Sequence, residues 1–200
     1  MSKPDSSSPF SRRSMLRLAA GGLAFSAPRA FAIPQQPPES YQNNEVIENG
    51  HQFFGSISRG LGEGVENLTS RWGRPNAYIL GQEAGGAFVG GLRYGEGEIY
   101  TRNAGRQRIF WEGPSLGFDA GADGDRTMML VHNLPALDAI HQRFAGIDGS
   151  AFLIGGLGFT SLSSSDGGVV VTPIRSGVGA RLGVSLGYLK FTSAPTWNPF

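Results

Sequence analysis

The stretch GGAFVGGLRYGEG, at residues 85–97, decides the fold class of this chain. Its glycines flank short aromatic and β-branched runs, and no helical pattern follows that could cradle a phosphate. Glycine inside a strand weakens it and marks a bulge, a bend or a close backbone approach. Glycines of this kind recur at residues 155–158 and 179–187. The sequence therefore predicts a mainly β protein, a small glycine-rich antiparallel β-barrel.

Short apolar runs on both sides of this stretch support the barrel. Glycine, aspartate and asparagine turns separate them every eight to twelve residues, which is typical of an antiparallel sandwich or barrel. Hairpin turns are predicted at residues 103–105 and 123–125. The predicted strands cover residues 76–82, 85–94, 97–103, 107–112, 114–121, 126–132, 150–162, 168–174 and 178–192.

An N-terminal amphipathic helix is predicted ahead of the strands, over residues 51–72, where apolar residues recur at steps of three and four. Four glycines in this helix each cost about 1 kcal/mol relative to alanine, so it should form only by docking its apolar face. Packing on the core is the favoured role, and a helix lying on a membrane surface is the alternative. The apolar stripe consists of Phe53, Ile57, Leu61, Val65, Leu68 and Trp72.

One short inserted helix is predicted between Asn133 and Gly146. Asn133 can cap its first turn, Pro135 suits a first-turn position, and Gly146 can end it. Its buried face would consist of Leu137, Ile140 and Phe144.

The first 32 residues are predicted to be a cleaved export signal. Arg12 and Arg13 resemble the twin-arginine signal, which a receptor recognises. The apolar stretch after them is too short to span a membrane, and small residues at Ala30 and Ala32 predict cleavage. The alternative is a general secretory signal that happens to contain the arginine pair. Either route predicts a periplasmic protein.

The remaining chain is predicted to hold a flexible tether and one domain. Residues 33–50 are rich in proline, glutamine, asparagine and glutamate, which cannot bury much surface. Residues 51–200 are expected to form a single β-barrel domain. Cleavage of the leader would remove five of the 17 basic and one of the 16 acidic residues, leaving a net charge of −3. This charge argues against nucleic acid as a partner, and no later stretch is apolar enough to span a membrane.

Two segments match the nucleophile-elbow pattern of hydrolases, GPSLG at 113–117 and GVSLG at 183–187. A true elbow is a strand–turn–helix, whereas the residues after Ser115 and Ser185 show no helical pattern. Because the chain contains 31 glycines, chance matches are expected. The sequence therefore predicts no catalytic residue, and the protein is expected not to be an enzyme.

Metal and cofactor sites are not predicted either. The chain contains no cysteine, which excludes thiolate ligands and disulfides. The three histidines, His51, His132 and His141, do not pair at ligand spacing. The acidic cluster Asp119, Asp123 and Asp125 is an incomplete calcium-loop pattern and is better explained as a solvated turn.

The order of these segments resembles that of two known protein families. The stretch 86–97, the GFDAGA segment at 117–122 and the closing GVGARLGVSLG at 177–187 resemble the SYLF lipid-binding domain. The leader and domain together look more closely like the EipA-type family of alphaproteobacterial envelope-integrity proteins. That resemblance implies a periplasmic protein built on a small soluble β-barrel. The chain departs from the SYLF pattern in the middle, at residues 149–158.

The predicted function is non-enzymatic support of cell-envelope integrity, and the alternative is a lipid- or lipopolysaccharide-binding module. The expected partners are envelope lipid, lipopolysaccharide or envelope proteins. The alternative is motivated by aromatic residues beside arginines on predicted strands. The candidate ligand surface consists of Arg93, Tyr94, Arg108 and Trp111.

Overall fold

The computed structural model describes residues 39–55, 59–86, 91–115, 125–176, 187–196 and 198. These residues belong to one compact unit that spans residues 36–200. The predicted export residues Arg12, Arg13, Ala30 and Ala32 lie outside the described residues, as do Asp119, Asp123 and Ser185.

In the described part of the chain, two α-helices precede ten β-strands. The helices are α1 (Asn43–Phe54) and α2 (Arg59–Trp72), and a single 3-10 turn covers Leu137–Ile140. Neither helix has the length and apolarity to cross a bilayer. The strands are β1 (Ala77–Gly86), β2 (Gly91–Thr101), β3 (Gly105–Ser115), β4 (Asp125–His132), β5 (Arg143–Gly146), β6 (Phe152–Ile154), β7 (Leu157–Phe159), β8 (Leu162–Ser164), β9 (Val170–Ser176) and β10 (Tyr188–Thr192).

Eight of these strands close into a ring. Their order is β4-β1-β2-β3-β10-β5-β8-β9, and β9 pairs back with β4. Each of these pairings is antiparallel. Strand β9 also branches, because Val171 pairs with β8 whereas Ile174 pairs with β7 in the β6–β7 hairpin. The ring confirms the predicted antiparallel β-barrel.

The strands from residue 77 to 132 are fewer and longer than predicted. Gly95 and Gly113, expected to end strands, lie inside β2 and β3, where Gly95 pairs with Glu83 on one side and Trp111 on the other. The hairpin turn at 103–105 is confirmed by the pairing of Thr101 with Gly105. The predicted strand 150–162 is instead three short strands, because Gly155 and Gly156 adopt positive φ and turn the chain.

The inside of the barrel is filled by side chains. Trp111, which is 1% exposed, lies among aliphatic and aromatic residues that include Phe144 and Phe191. The interior glycines make room for its indole, since a Cβ at Gly95 would lie 2.1 Å from the indole Cε2 and one at Gly81 2.6 Å from Cη2. Close packing of this kind needs a residue without a side chain on the facing strand.

The helical region differs from the prediction in its extent. Helix α1 begins at Asn43, so residues 43–50 of the predicted tether are helical. The main chain at Gln42 donates to the Glu45 carboxylate over 2.7 Å, and Val46 is fully buried. The expected single helix is broken at Gly55, whose φ is 79°. The polar composition of residues 43–50 concealed a helix that tertiary burial stabilises.

The predicted core-packing role of the second helix is confirmed. Leu61, Val65 and Leu68 are 0% exposed and pack with Met128, Leu130 and Ile174 on the outer wall of the barrel. Two helix glycines are contact points, because a Cβ at Gly60 or Gly64 would lie 2.0 Å from the Ile154 carbonyl oxygen or the Phe159 ring, respectively.

The predicted inserted helix is wrong beyond its first turn. Only Leu137–Ile140 is helical, and Phe144 lies on β5, where it points into the barrel. Asn133 does not cap the turn, because it adopts a φ of 59°. The buried Asn76 side chain instead binds Leu134, donating to its carbonyl oxygen over 2.7 Å and accepting from its amide over 3.0 Å.

Candidate functional site

A buried ionic cluster lies inside the barrel wall. The Arg175 guanidinium donates to both Glu83 oxygens, over 2.8 Å to Oε2 and 3.0 Å to Oε1. The Trp111 indole donates to Glu83 Oε1 over 2.8 Å. Arg93 Nη1 lies 3.9 Å from Oε2, and Arg93 also donates to the Pro114 carbonyl oxygen. One carboxylate thus links β1 to β2, β3 and β9.

The surroundings of Glu83 keep it ionised. Burial is the largest single influence and opposes the charged form, but Arg175, Arg93 and the Trp111 indole together outweigh it and lower the pKa of Glu83 to about 2. Each close polar neighbour of Glu83 therefore stabilises its charged form. This arrangement ties the strands together.

The outer wall beside this cluster carries a different set of side chains. Along a strand, alternate residues point to opposite faces, so two cross-strand rows face outward. One row is Gln82, Glu96, Phe110 and Thr192, and the other is Ala84, Tyr94, Glu112 and Lys190.

A groove of about 390 Å³ runs over these two rows. Its far wall is the segment 193–196, which we name the C-terminal strap. The lining comprises Gln82, Glu83, Ala84, Tyr94, Gly95, Glu96, Phe110, Trp111, Glu112, Thr192, Pro195 and Thr196.

The strap is anchored on Glu112. The Thr196 hydroxyl donates to Glu112 Oε1 over 2.7 Å, and Lys190 Nζ lies 3.2 Å from the same oxygen. Glu112 is only 1% exposed. Its second oxygen, Oε2, is buried and has no hydrogen-bond partner among the described residues. Glu112, which lines the groove, therefore carries a buried acceptor without a donor in the described part of the chain.

The groove also has aromatic walls and a paired charge at its edge. Phe110 and Tyr94 are half-buried in the lining. Arg108 Nη2 lies 2.7 Å from Glu96 Oε2, and its guanidinium lies 5.2 Å from the centre of the Phe110 ring. Such a site can accept a hydrogen bond and hold an apolar or aromatic body beside it.

The four residues of the predicted ligand surface do not form one surface. Arg93 and Trp111 belong to the buried side of the wall, whereas Tyr94 and Arg108 belong to the outer side. Tyr94 and Trp111 both line the groove, and Arg108 lies in a neighbouring depression with Glu96. The structure thus brings two of the four together at the groove.

The three histidines lie in different environments. His51 is exposed on α1 and His141 follows the 3-10 turn, whereas His132 is fully buried. Its Nδ1 donates to the Gly73 carbonyl oxygen over 2.9 Å, and burial lowers its pKa to about 4 despite that bond. Among the described residues, no three histidine, aspartate or glutamate side chains are placed to hold a metal ion.

Tyr94 and Trp111 were singled out from the sequence, but Glu112 and Thr196, which join the groove floor to the strap, were not. Glu112 lies between Trp111 and Gly113 as one carboxylate in an aromatic strand, and Thr196 is 84 positions away. The sequence did contain one signal: side chains alternate along a strand, so Phe110 and Glu112 share a face opposite to Trp111. Recognising the site also required the pairing of β3 with β10.

Comparisons with known proteins agree with the β-barrel fold. A family model described as Envelope integrity protein A matches residues 39–200. A crystal structure described as a β-barrel-like, uncharacterized protein from Brucella abortus is 54% identical to this chain, with a TM-score of 0.75. The alignment covers 80% of this chain and 99% of that one. No curated protein matches the chain.

Proposed function

This chain belongs to the envelope integrity protein A family, and on that premise we propose that it supports envelope integrity from the periplasm without catalysis. The observation that carries the proposal is the match over residues 39–200, which includes the whole of the described barrel. The family name gives the envelope role, and the periplasmic location and the lack of catalysis are our extension of it.

The environment of Glu83 supports a structural role for the most perturbed carboxylate. Catalytic acids and bases need a pKa near the working pH. The pKa of Glu83 is instead lowered to about 2, and its oxygens accept from Arg175 and Trp111. The group is therefore suited to holding strands together rather than to exchanging protons.

Periplasmic placement rests on the leader. Arg12 and Arg13, followed by a short apolar stretch, are typical of receptor-read export. Replacing both with lysine should retain the precursor in the cytoplasm, while a single replacement of Lys3 by arginine serves as the control. Normal periplasmic yield from the double variant would favour the general secretory route.

The experiment that tests the envelope role is gene deletion with complementation. We expect deletion to sensitise cells to detergent and to inhibitors of envelope synthesis, and the wild-type gene to restore growth. The Arg12/Arg13 double-lysine variant should fail to restore it. Full complementation by a cytoplasmic form, or a deletion strain with unchanged sensitivity, would contradict the proposal.

Lipid or lipopolysaccharide binding is the second candidate, supported by the aromatic walls of the groove. The charges favour it less, because Arg108 is paired with Glu96 and Arg93 is buried in the wall. Native mass spectrometry of protein purified from the periplasm separates the two. Co-purifying acyl chains would support lipid binding, and an apo mass would support the scaffold role.

A further inference from the structure

Glu112, in the lining of the groove, has one carboxylate oxygen without a donor in the described ranges of the chain. Glu112 Oε2 is buried, yet no described residue donates to it. A buried charged acceptor without a partner costs more than a hydrogen bond gains, so such groups are normally satisfied. A ligand that brings a donor to this oxygen would remove that cost.

The charges beside the acceptor select the kind of donor. Glu112 and Glu96 both line the groove, and the cations near them, Lys190 and Arg108, already contact Glu112 Oε1 and Glu96 Oε2. An anionic ligand would meet two carboxylates. An ammonium group would form a charge-assisted hydrogen bond, which is about twice as strong as a neutral one.

The aromatic walls favour the same choice. Aromatic faces attract cations within about 6 Å of the ring centre, and Phe110 already attracts the Arg108 guanidinium from 5.2 Å. The groove volume of about 390 Å³ lies within the range of small-molecule sites.

We propose that this groove binds a small organic ammonium compound with an apolar or aromatic body, whose ammonium group donates to Glu112 Oε2. The body lies against Phe110 and Tyr94, beneath the C-terminal strap. This site is independent of the proposed envelope role, because it rests only on the groove itself.

Three probes of one shape test the head-group preference. Phenethylamine and 2-phenylethanol differ only in carrying an ammonium or a hydroxyl group, and phenylacetate places a carboxylate carbon where they have their second methylene. Titration of the purified protein, followed by amide chemical shifts, should show phenethylamine binding at about millimolar concentration, as expected for a fragment of this size. The shifts should centre on residues 82–84, 94–96 and 110–112. Phenylacetate should bind at least about tenfold more weakly.

Two variants test the site itself. Glu112→Gln keeps the size of the side chain but removes its charge, and should weaken phenethylamine binding about tenfold and abolish its advantage over 2-phenylethanol. Ala84→Leu fills the groove from its exposed side and should block all three probes. Arg106→Ala, on the exposed end of β3, is the matched control and should leave binding unchanged.

Several results would overturn the proposal. Equal binding of phenethylamine and phenylacetate would remove the role of the carboxylate, and shifts confined to another surface would remove the groove. No binding by phenethylamine at tens of millimolar would do the same. If Glu112→Gln fails to fold, Ala84→Leu alone decides, because retained phenethylamine binding in that variant places the probe elsewhere.

Discussion

The outer wall of the barrel has two faces, and strand β1 contributes its first part to one and its second part to the other. On β1, Tyr78 and Leu80 pack into the cluster beneath the helices, whereas Gln82 and Ala84, further along, are exposed beside the groove. We call the first part the helix-covered face and the second the groove face. The helix-covered face is mainly apolar and buried, whereas the groove face combines carboxylates with aromatic rings around an open groove. Stability is therefore expected to depend on the first face and binding on the second.

The largest effect is expected from a charge placed in the helix-covered face. Leu61 is 0% exposed, so Leu61→Asp would bury an unpaired carboxylate and should cost about 4 kcal/mol or more. Chemical denaturation measures the loss. A variant as stable as the wild type would show that α2 does not dock on the barrel and that stability does not depend on the helix-covered face.

A pH-dependent loss is expected from His132, which lies at the end of β4 on the helix-covered face. Burial lowers its pKa to about 4 from 6.5. The unfolded chain therefore binds the proton first, and stability is lost as pH falls from 6.5 towards 4. The full difference amounts to about 3 kcal/mol.

The measurement for His132 is the free energy of unfolding between pH 7 and 5.5, above the range in which Glu83 titrates in the unfolded chain. His132→Asn can still donate to the Gly73 carbonyl and should flatten the dependence. An equally steep curve in that variant would assign the acid sensitivity to another group.

Two glycines on α2 offer a matched pair of smaller changes. Gly60→Ala should destabilise the protein by about 1–3 kcal/mol, because its Cβ would meet the Ile154 carbonyl oxygen at 2.0 Å. Gly62 has no atom within 4 Å of a Cβ, so Gly62→Ala should stabilise by about 0.5–1 kcal/mol through helix propensity. Thermal melts compare the two, and equal shifts would mean that close contact does not distinguish these positions.

The smallest effect on stability is expected on the groove face. Arg108 and Glu96 form an ion pair whose side chains are 67% and 58% exposed. Exposed pairs contribute little, so Arg108→Ala should change stability by less than about 0.5 kcal/mol. A loss above about 1.5 kcal/mol in the same denaturation assay would show that the groove face also carries stability.

The sequence was sufficient for the features that depend on local pattern. The antiparallel β-barrel and the buried stripe Leu61–Val65–Leu68 were each predicted from spacing along the chain, and both predictions are confirmed. Residues 43–50 of helix α1 were missed because Val46 is one of few apolar residues among polar ones, and its burial is a tertiary effect. Phe144 has helical spacing with Ile140, but a strand buries it equally well.

The remaining features depend on pairing across the barrel. Gly95 was expected to mark a turn, and only its neighbour Trp111 on β3 shows that it makes room for an indole. The groove also depends on pairing between strands distant in the chain, because Glu112, Lys190 and Thr196 meet only when β10 pairs with β3. A pattern along the chain carries no information about which strands become neighbours.

The pairing of β3 with β10 also has a consequence for folding kinetics. The hairpins β1–β2 and β2–β3 join strands adjacent in the chain, whereas Trp111 pairs with Phe191 across 80 residues. Closing so long a loop costs more chain entropy, and folds dominated by distant contacts reach the native state in milliseconds to seconds. We expect the hairpins to form early and this seam to close late. The groove spans the seam, so a bound ligand would report that the barrel has finished closing.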